Sequence, residues 1–267
     1  MNALSARDQA NVSIDQLFES HAPTALKLRQ STATERRRKL KKLLDAVLER
    51  QSAIAEATQR DLGKHPTETN LTEVLPLVGE LKHAIAHLKG WMKPQRIRPT
   101  LAALGTKSRV IYQPKGRCLI ISPWNYPLSL ALGPLVSAVA AGNTAILKPS
   151  EFTPHTNRLV REIVTAVFAP DEVAVVEGAA ETATALLALP FDHIFFTGSP
   201  GVGKKVMAAA AVHLASVTLE LGGKGANLVF ADADENAVAR GVKHMFNNSG
   251  QSCNAPSRML VERPFYD

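Results

Sequence analysis

Residues 193–211 read HIFFTGSPGVGKKVMAAAA, an apolar run followed by three glycines and then by a stretch of helix-forming composition. Small residues after a strand let the backbone approach a ligand, and the free N–H groups at the start of a helix favour an anion there. The stretch therefore predicts a strand, a tight turn and a helix. It leaves two interpretations of the turn open, phosphate binding and a plain connection.

Two nucleotide-binding motifs come close to this stretch without matching it. Residues 198–204 fit the start of the phosphate loop G-x-x-x-x-G-K-[ST], but Lys205 stands where that loop needs a hydroxyl group for magnesium. The glycines run G-x-x-G-x-G, whereas the dinucleotide-binding order is G-x-G-x-x-G. A phosphate-loop hydrolase stays a disfavoured alternative, for which Asp232 and Asp234 after the apolar segment 226–230 could supply the acidic residue.

From Gly116 onward, apolar strands alternate with helix-compatible stretches. The five strand-like segments are residues 118–122, 144–148, 172–178, 193–197 and 216–220. Such alternation is typical of an α/β fold in which a parallel sheet is covered on both faces and binds ligands at the carboxyl ends of its strands. Polar residues or glycines follow or end four of these strands, namely Asn125, Lys148, Gly198 and Glu220. The sequence therefore predicts a Rossmann-like sheet with a nucleotide crevice.

The residues before this alternation form a different region. Residues 24–93 show a helical pattern that is interrupted near Gly63 and Pro66, and residues 108–113 suggest a short extended ribbon. We expect these helices to pack rather than to carry chemistry. A basic stretch from Glu35 has the leucine spacing of an amphipathic helix whose charged residues face water, and no aromatic residues for base stacking are interleaved. No nucleic-acid partner is therefore expected.

Composition and cysteine usage narrow the class of protein further. The 267 residues are 45% hydrophobic and have a net charge of +7. The positive excess lies in residues 1–115, which hold 20 Lys and Arg against 11 Asp and Glu, whereas residues 116–267 hold 11 against 13. Cys118 and Cys253 form no close pair, so no disulfide framework is indicated and a reducing compartment fits best. The first twenty residues lack the apolar segment of a secretory signal. We therefore expect a cytoplasmic protein.

Two further classes of site are not expected. The uncharged stretch between Arg117 and Lys148 is divided by prolines and glycines into pieces too short to cross a membrane, so we interpret it as buried core. We expect no metal site, because four histidines spread over the second half of the chain form no close-spaced ligand set: His155, His193, His213 and His244.

Five motifs in order resemble those of the aldehyde dehydrogenase superfamily. They are PWNYP at 123–127, KPSE at 148–151, FTGSPGVG at 196–203, ELGGK at 220–224 and GQSCNAP at 250–256. The spacing DLGK…ETNLTEV over residues 61–74 is most similar to the class 3 and coniferyl aldehyde dehydrogenase branch. Because family members continue well past the position of Asp267, the resemblance implies an N-terminal portion or a shortened member of the family.

The resemblance also implies a division of the chain. Residues 1–115 would be helices and a ribbon that pack on the cofactor domain, residues 116–219 the NAD(P)-binding domain, and residues 220–267 the beginning of an incomplete α/β catalytic domain. The segment 226–230 would then open a second sheet whose partner strands are absent, which leaves an unpaired edge.

The chemistry that the resemblance implies is the oxidation of an aldehyde to a carboxylic acid. The thiolate of Cys253 would attack the aldehyde to give a thiohemiacetal, and the Asn125 side-chain amide and the Cys253 N–H would form the oxyanion hole. After hydride transfer, Glu220 would act as general base for the water that cleaves the thioester, a role favoured by partial desolvation near Leu and Gly residues. Without the family context, Glu220 would be an N-cap or a surface carboxylate, and Cys253 a small buried residue.

The cofactor would be NAD or NADP. The resemblance places Gly198 and Ser199 against the pyrophosphate at a helix N-terminus, with Gly203 allowing close packing. Lys148 and Glu151 would meet the adenosine ribose. A lysine tolerates a 2′-phosphate and a glutamate repels it, so the sequence does not decide between the two cofactors.

Further expectations concern two side chains, the substrate, the assembly and an alternative function. Trp124 would line the nicotinamide side of the crevice or, equally, be a core aromatic residue, and Cys118 would belong to the core. The substrate would be a small aldehyde, aromatic or medium-chain aliphatic by resemblance to the branch, and the protein a homodimer. An NAD(P)-binding module without turnover stays the alternative function.

Overall fold

The computed structural model describes residues 13–266. The helical region consists of α1 (Ile14–Leu28), α2 (Ala33–Glu49), α3 (Gln51–Leu62), α4 (Pro66–Thr69) and α5 (Leu75–Trp91), with a π-helical turn at Asn70–Val74 before α5. Ser13 and Thr32 begin α1 and α2 with capping boxes. Residues 1–12, on which most of the expectation about a secretory signal falls, lie outside the described residues.

Two sheets follow the helical region. An antiparallel ribbon pairs β1 (Gln95–Ile97) with β2 (Ser108–Val110). A five-stranded parallel sheet contains β3 (Arg117–Ile121), β4 (Thr144–Lys148), β5 (Val173–Val175), β6 (His193–Gly198) and β7 (Ser216–Leu221) in the order β5-β4-β3-β6-β7. The predicted α/β class with a Rossmann-like parallel sheet is confirmed. Only β5 is much shorter than its predicted segment, because the chain turns at Gly178, where φ is +151°.

Helices cover both faces of the parallel sheet. The connecting helices are α6 (Ser129–Ala141), α7 (Pro154–Val167), α8 (Ala180–Leu187) and α9 (Pro200–Val212). On one face, α6 and α7 share a hydrophobic core with α2, α3 and α5. On the other face, α1, α8 and α9 pack through residues such as Phe18, Leu186 and Val206. The N-terminal helices therefore complete one of the two layers that bury the sheet.

The basic helix α2 follows its predicted face with two exceptions. Leu40, Leu43 and Val47 are buried, as the spacing predicts, but Leu48 is 45% exposed. Arg36 is the second exception, since it is 6% exposed and donates from Nη1 to the Ala140 carbonyl at 3.0 Å. One of the predicted solvent-facing basic residues thus binds the last turn of α6 instead of water.

The last part of the chain forms a small separate sheet. β8 (Ala226–Val229) pairs in parallel with β9 (Arg258–Val261), and α10 (Ala237–Met245) and α11 (Arg263–Tyr266) complete this region. The expectation that the segment 226–230 has no partner strand is wrong, because β9 follows the cysteine motif and returns beside it. Among residues 13–266, no helix is both long and apolar enough to cross a membrane.

Candidate active site

The candidate site lies where the strand order of the parallel sheet reverses. The connection after β3 leads to α6 on one face, and the connection after β6 leads to α9 on the other. Such a point leaves a crevice at the carboxyl ends of the strands. Trp124 and Asn125 lie in the loop after β3. Gly198 ends β6 and Ser199 follows it, so both connections lie at this edge of the sheet. Glu220 lies in the neighbouring strand β7, where it is paired in register with Thr197 of β6.

Hydrogen bonds join Asn125 to the loop that carries Cys253. The side-chain nitrogen of Asn125 donates to the carbonyl of Gln251 at 2.9 Å. The side-chain nitrogen of Asn248 donates to the carbonyl of Asn125 at 3.1 Å and to that of Gln251 at 3.0 Å. These bonds form a closed ring of groups, which brings the two predicted catalytic residues Asn125 and Cys253 to neighbouring loops although 128 positions separate them.

Cys253 is a free, exposed cysteine on the wall of an open cavity of about 800 Å³. The cavity is lined from the helical region, from the residues before and at the start of α6, from α10 and from the loop of Cys253, for example by His65, Glu68, Tyr126 and His244. The thiol can therefore be reached by a small molecule, which a buried structural cysteine could not be. The alternative interpretation of Cys253 as a small buried residue is wrong.

Cys118 contrasts with Cys253. It lies in β3 with 3% of its surface exposed, as expected for a core residue. Burial, followed by the negative charge of Asp192, raises the pKa of the Cys118 thiol from 9.0 to about 12. Because a thiolate is the reactive form, Cys118 is chemically inert in the folded chain.

Glu220 is a strand residue near the end of β7 and is exposed. It is therefore not a helix cap. The described residues leave its carboxylate exposed, so they do not provide the partial desolvation that was expected. Trp124 is also exposed, at 37%, so its interpretation as a core aromatic residue is wrong. Both side chains are open to a ligand at the crevice.

The turn that opens α9 has close backbone packing. Ser199 is the N-cap, and its hydroxyl accepts from the N–H of Val202 at 3.3 Å. A Cβ added at Gly198 would stand 2.5 Å from the ring of Phe196, and one added at Gly203 would stand 2.8 Å from the side chain of Leu221. Among the described residues, a Cβ at Gly201 would meet nothing within 4 Å. Gly198 and Gly203 thus allow close packing of neighbouring side chains, whereas the backbone at Gly201 is accessible to a ligand.

Lys148 and Glu151 form an ion pair of 3.0 Å at the end of β4. The Lys148 side chain is buried and that of Glu151 is 37% exposed. A backbone hydrogen bond, with the hydrogen bond and charge of Lys148, holds the pKa of the Glu151 carboxyl below its usual range. The pair is one strand away from β3, on the same carboxyl edge as Trp124.

Three buried polar atoms at this edge lack partners within residues 13–266. They are the hydroxyl oxygens of Ser122 and Thr197 and the side-chain oxygen of Asn125. Ser122 directly follows β3 and Thr197 lies in the adjacent strand β6, so these atoms flank the point of strand reversal. Buried polar atoms are normally paired, and a dinucleotide supplies hydroxyl, amide and phosphate groups that could pair with them. The residues at the edge therefore fit such a cofactor.

Other ligand classes find less support in the structure. Asp232 and Asp234 follow β8, which belongs to the separate two-stranded sheet, and Asp234 is bound to Arg240 at 2.6 Å. They cannot serve a phosphate loop at residues 198–204, because a metal-binding acid of that kind ends a strand of the same sheet. Within the described part of the chain, no three His, Cys, Asp or Glu side chains cluster as metal ligands.

The structure adds charged residues that sequence reasoning did not assign to the site. Lys64 and Glu73 form a buried ion pair of 2.7 Å, and Lys64 also donates to the carbonyl of Asn125 at 2.9 Å. Glu68 accepts the N–H of Asn248 at 2.9 Å. All three belong to the DLGK…ETNLTEV segment, residues 61–74. The charged residues of this segment were the feature of the sequence that could have indicated their contacts with the site. These contacts join the helical region to the Asn125 loop and to Asn248, and the expectation that its residues carry no chemistry stays a prediction.

Comparison with known proteins is consistent with this geometry. The sequence model described as "Aldehyde dehydrogenase family" matches residues 4–267, nearly the whole chain. The chain belongs to the aldehyde dehydrogenase family. The resemblance predicted from the five motifs is therefore confirmed, as is its relation to the coniferyl and class 3 branch.

Two relatives illustrate this branch of the aldehyde dehydrogenases. The chain is 38% identical over 265 residues to a coniferyl aldehyde dehydrogenase of a Pseudomonas species, which covers 97% of this chain and 53% of the relative. It is 40% identical over 251 residues to aldehyde dehydrogenase family 3 member B1 of Bos taurus, covering 91% and 54% respectively. The chain thus spans about half the length of these relatives.

Solved aldehyde dehydrogenase structures resemble the fold closely. A substrate-bound state of Staphylococcus aureus AldH superimposes with a TM-score of 0.89 at 38% identity, covering 94% of this chain and 55% of that one. PnpE in complex with nicotinamide adenine dinucleotide gives a TM-score of 0.85 at 31% identity, covering 94% and 51%. The architecture built from the sequence above is therefore that of the family.

Proposed function

We propose that this chain acts as an NAD(P)-dependent aldehyde dehydrogenase that oxidises an aldehyde to a carboxylic acid through a covalent adduct on Cys253. The observation that carries the proposal is the hydrogen bond from the Asn125 side-chain amide to Gln251, two residues before the cysteine. This bond ties the loop of Asn125 to the segment that leads to the exposed thiol of Cys253, which supports a shared role of the two residues. Family membership and the relatives' names support the same reaction.

The first step belongs to Cys253 and Asn125. The thiolate attacks the aldehyde carbon, a C–S bond forms, and the carbonyl oxygen takes up negative charge. One N–H of the Asn125 amide is taken by Gln251, and the second is the donor that we assign to this oxygen together with the Cys253 N–H. Such a donor is worth roughly 3 kcal/mol in the transition state.

The second step regenerates the thiol. A nicotinamide cofactor held at this edge of the sheet would supply the acceptor for the hydride that leaves the adduct on Cys253. The thioester on Cys253 is then attacked by a water molecule whose proton we assign to Glu220, and the C–S bond breaks to release the carboxylic acid and the thiolate. The exposed position of Glu220 at the end of β7 leaves it accessible to water.

For the cofactor, we propose binding along Gly198, Ser199 and the start of α9, with the pair of Lys148 and Glu151 near the adenosine ribose. The open backbone at Gly201 and the unpartnered hydroxyls of Ser122 and Thr197 support this placement. The NAD complex of PnpE supports use of NAD by a protein of this fold. Replacing Ser199 with Leu should weaken binding in calorimetric titrations, and an unchanged affinity would move the pyrophosphate elsewhere.

We propose a small aromatic or medium-chain aliphatic aldehyde as substrate and a homodimer as the assembly. Coniferyl aldehyde is the aromatic aldehyde named for the Pseudomonas relative. Formation of NADH or NADPH with benzaldehyde and with hexanal tests the first point, and light scattering tests the second.

The deciding experiment compares the wild-type chain with Cys253→Ala in that assay, together with cofactor titration. Turnover by the wild type and none by Cys253→Ala would support the mechanism. Cofactor binding without turnover would instead support an NAD(P)-binding module, and retained activity in Cys253→Ala would rule out the thiolate step.

A further inference from the structure

Glu68 lies between the helical region and the cysteine loop. It belongs to α4, is half-buried, and accepts the N–H of Asn248 at 2.9 Å. It lines the open cavity that Cys253 also lines and a small neighbouring cavity of about 70 Å³ with Trp124 and Asn125. The carboxylate thus contacts the segment that leads to Cys253.

The segment that Glu68 holds has an unusual backbone. Asn248, Ser249 and Gly250 have φ values of +51°, +55° and +77°, so three consecutive residues are left-handed and two of them are not glycine. Such a conformation persists only where the surrounding contacts determine it. The turn ends three residues before Cys253, so its conformation sets the direction in which the cysteine enters the site.

Asn248 makes the contacts that hold this turn. Its N–H is bound by Glu68, its side-chain nitrogen by the carbonyls of Asn125 and Gln251, and its own carbonyl accepts the N–H of Gln251 at 2.9 Å. Asn248 is 8% exposed. Of these bonds, only the one from Glu68 ties the turn to the helical region of the chain.

The same short segment also fixes the opposite loop. Lys64 donates to the Asn125 carbonyl at 2.9 Å, and Glu73 accepts the N–H groups of Leu128 and Ser129 at 3.1 and 2.9 Å. Lys64 and Glu73 therefore hold the segment around Asn125, and Glu68 holds Asn248, so residues 64–73 contact both sides of the candidate site.

We propose that Glu68 is a positioning residue, which holds the left-handed turn at Asn248 and thereby sets the Cys253 thiol against the Asn125 amide. The effect of Glu68 on turnover rests on the proposed function, whereas its effect on the conformation of the turn at Asn248 is independent of that function. The carboxylate acts by accepting the Asn248 N–H and takes no part in proton transfer.

The test uses the full chain with the variants Glu68→Ala, Glu68→Gln and Glu56→Ala. Hydrogen exchange of a peptide covering residues 246–255 reports the turn, and labelling by iodoacetamide reports Cys253 alone because Cys118 is buried. Glu56 is the matched control, since its exposed carboxylate binds only Arg60 within the described residues. Exchange of a peptide covering residues 144–148 reports global folding.

We expect Glu68→Ala to accelerate exchange in residues 246–255 by about tenfold or more and to change the labelling rate of Cys253, with residues 144–148 still protected. Glu68→Gln, whose amide oxygen accepts the same N–H, should stay within about threefold of the wild type. Glu56→Ala should match the wild type. Where the wild type turns over, kcat should fall about tenfold or more in Glu68→Ala at unchanged cofactor affinity and recover in Glu68→Gln.

The proposal would be overturned if residues 246–255 of Glu68→Ala exchanged hydrogen at the wild-type rate. It would also be overturned if these residues exchanged as fast in Glu68→Gln as in Glu68→Ala. If Glu68→Ala loosens residues 144–148 as well, Glu68→Asp replaces it, because its carboxylate is one methylene short of Asn248. Faster exchange confined to residues 246–255 in Glu68→Asp then supports the proposal, and wild-type exchange overturns it. An inactive wild type would refute the proposed function and leave the exchange result to decide this inference alone.

Discussion

The ammonium of Lys64 lies 2.7 Å from the carboxylate of Glu73, and both side chains are almost completely buried, at 3% and 0% exposure. Lys64 also lies over the ring of Tyr126, 4.3 Å from its centroid. Removing one partner of such a pair leaves the other charge buried and uncompensated, which costs far more than the net contribution of the pair. The segment that positions the site is therefore also a sensitive point for stability.

Replacing Lys64 with Met should lower the free energy of unfolding by about 3–5 kcal/mol, because the Glu73 charge stays buried without its counterion. Urea denaturation monitored by circular dichroism measures the change. Arg60→Ala is the control, since its ion pair with Glu56 is exposed and should be worth less than about 1 kcal/mol. Equal effects of the two substitutions would contradict the prediction.

Two glycines of the FTGSPGVG turn should respond differently to the same substitution. Gly198→Ala places a Cβ 2.5 Å from the buried Phe196 ring, so we expect a loss of about 1–3 kcal/mol in the free energy of unfolding. In the first turn of α9, the Cβ of Gly201→Ala meets nothing within 4 Å in the part of the chain that the structure describes, so this variant should be neutral or stabilising by up to about 1 kcal/mol. Urea unfolding of both variants checks the pair. A Gly201→Ala variant as unstable as Gly198→Ala would contradict the packing described.

The raised pKa of the buried Cys118 thiol should lower the free energy of unfolding at alkaline pH. The unfolded thiol loses its proton above about pH 9, whereas the folded thiol keeps it until about pH 12, so unfolding releases a proton in this window. The contribution of Cys118 is fully present below pH 9 and falls by about 1.4 kcal/mol per pH unit above it. Urea unfolding of the wild type and of Cys118→Ala at a series of pH values above about 8 measures it. The wild-type curve should descend more steeply, and parallel curves would refute the prediction.

Glu220→Gln should separate the two chemical steps of the proposed reaction. Hydride transfer does not need the base, so we expect a burst of NADH followed by little steady turnover, because the thioester is no longer hydrolysed. Stopped-flow absorbance measures the burst. Glu181→Gln, the same change on an exposed carboxylate of α8, is the control and should turn over normally. Loss of the burst itself would assign Glu220 to an earlier step.

The sequence predicted the parallel sheet and the edge that carries the site. Continuous apolar segments specify strands buried on both faces, and glycines and polar residues at their ends mark the carboxyl edge, since both properties are local. The five strands therefore lie within a few residues of their predicted positions, and Asn125, Gly198 and Glu220 lie at one edge. The roles of these residues in catalysis and the three-part division of the chain stay predictions.

The contacts of the helical region could not be predicted, because they depend on tertiary structure. Arg36, Lys64 and Glu68 have the side chains of solvated residues, and only the folded chain places carbonyl or N–H partners against them. The pairing of β8 with β9 was missed for the same reason, since periodicity indicates a strand but not its neighbour. Long-range partners are what a single sequence leaves undetermined.

The contact of Glu68 with Asn248 joins residues 180 positions apart in the chain. Closing so long a loop is entropically costly, and contacts of this kind form slowly relative to local helices. During refolding, the helices should therefore appear well before the cysteine reaches its final environment. A species arrested before Glu68 meets Asn248 would therefore have native-like helical content but would lack the native conformation of the segment that leads to Cys253.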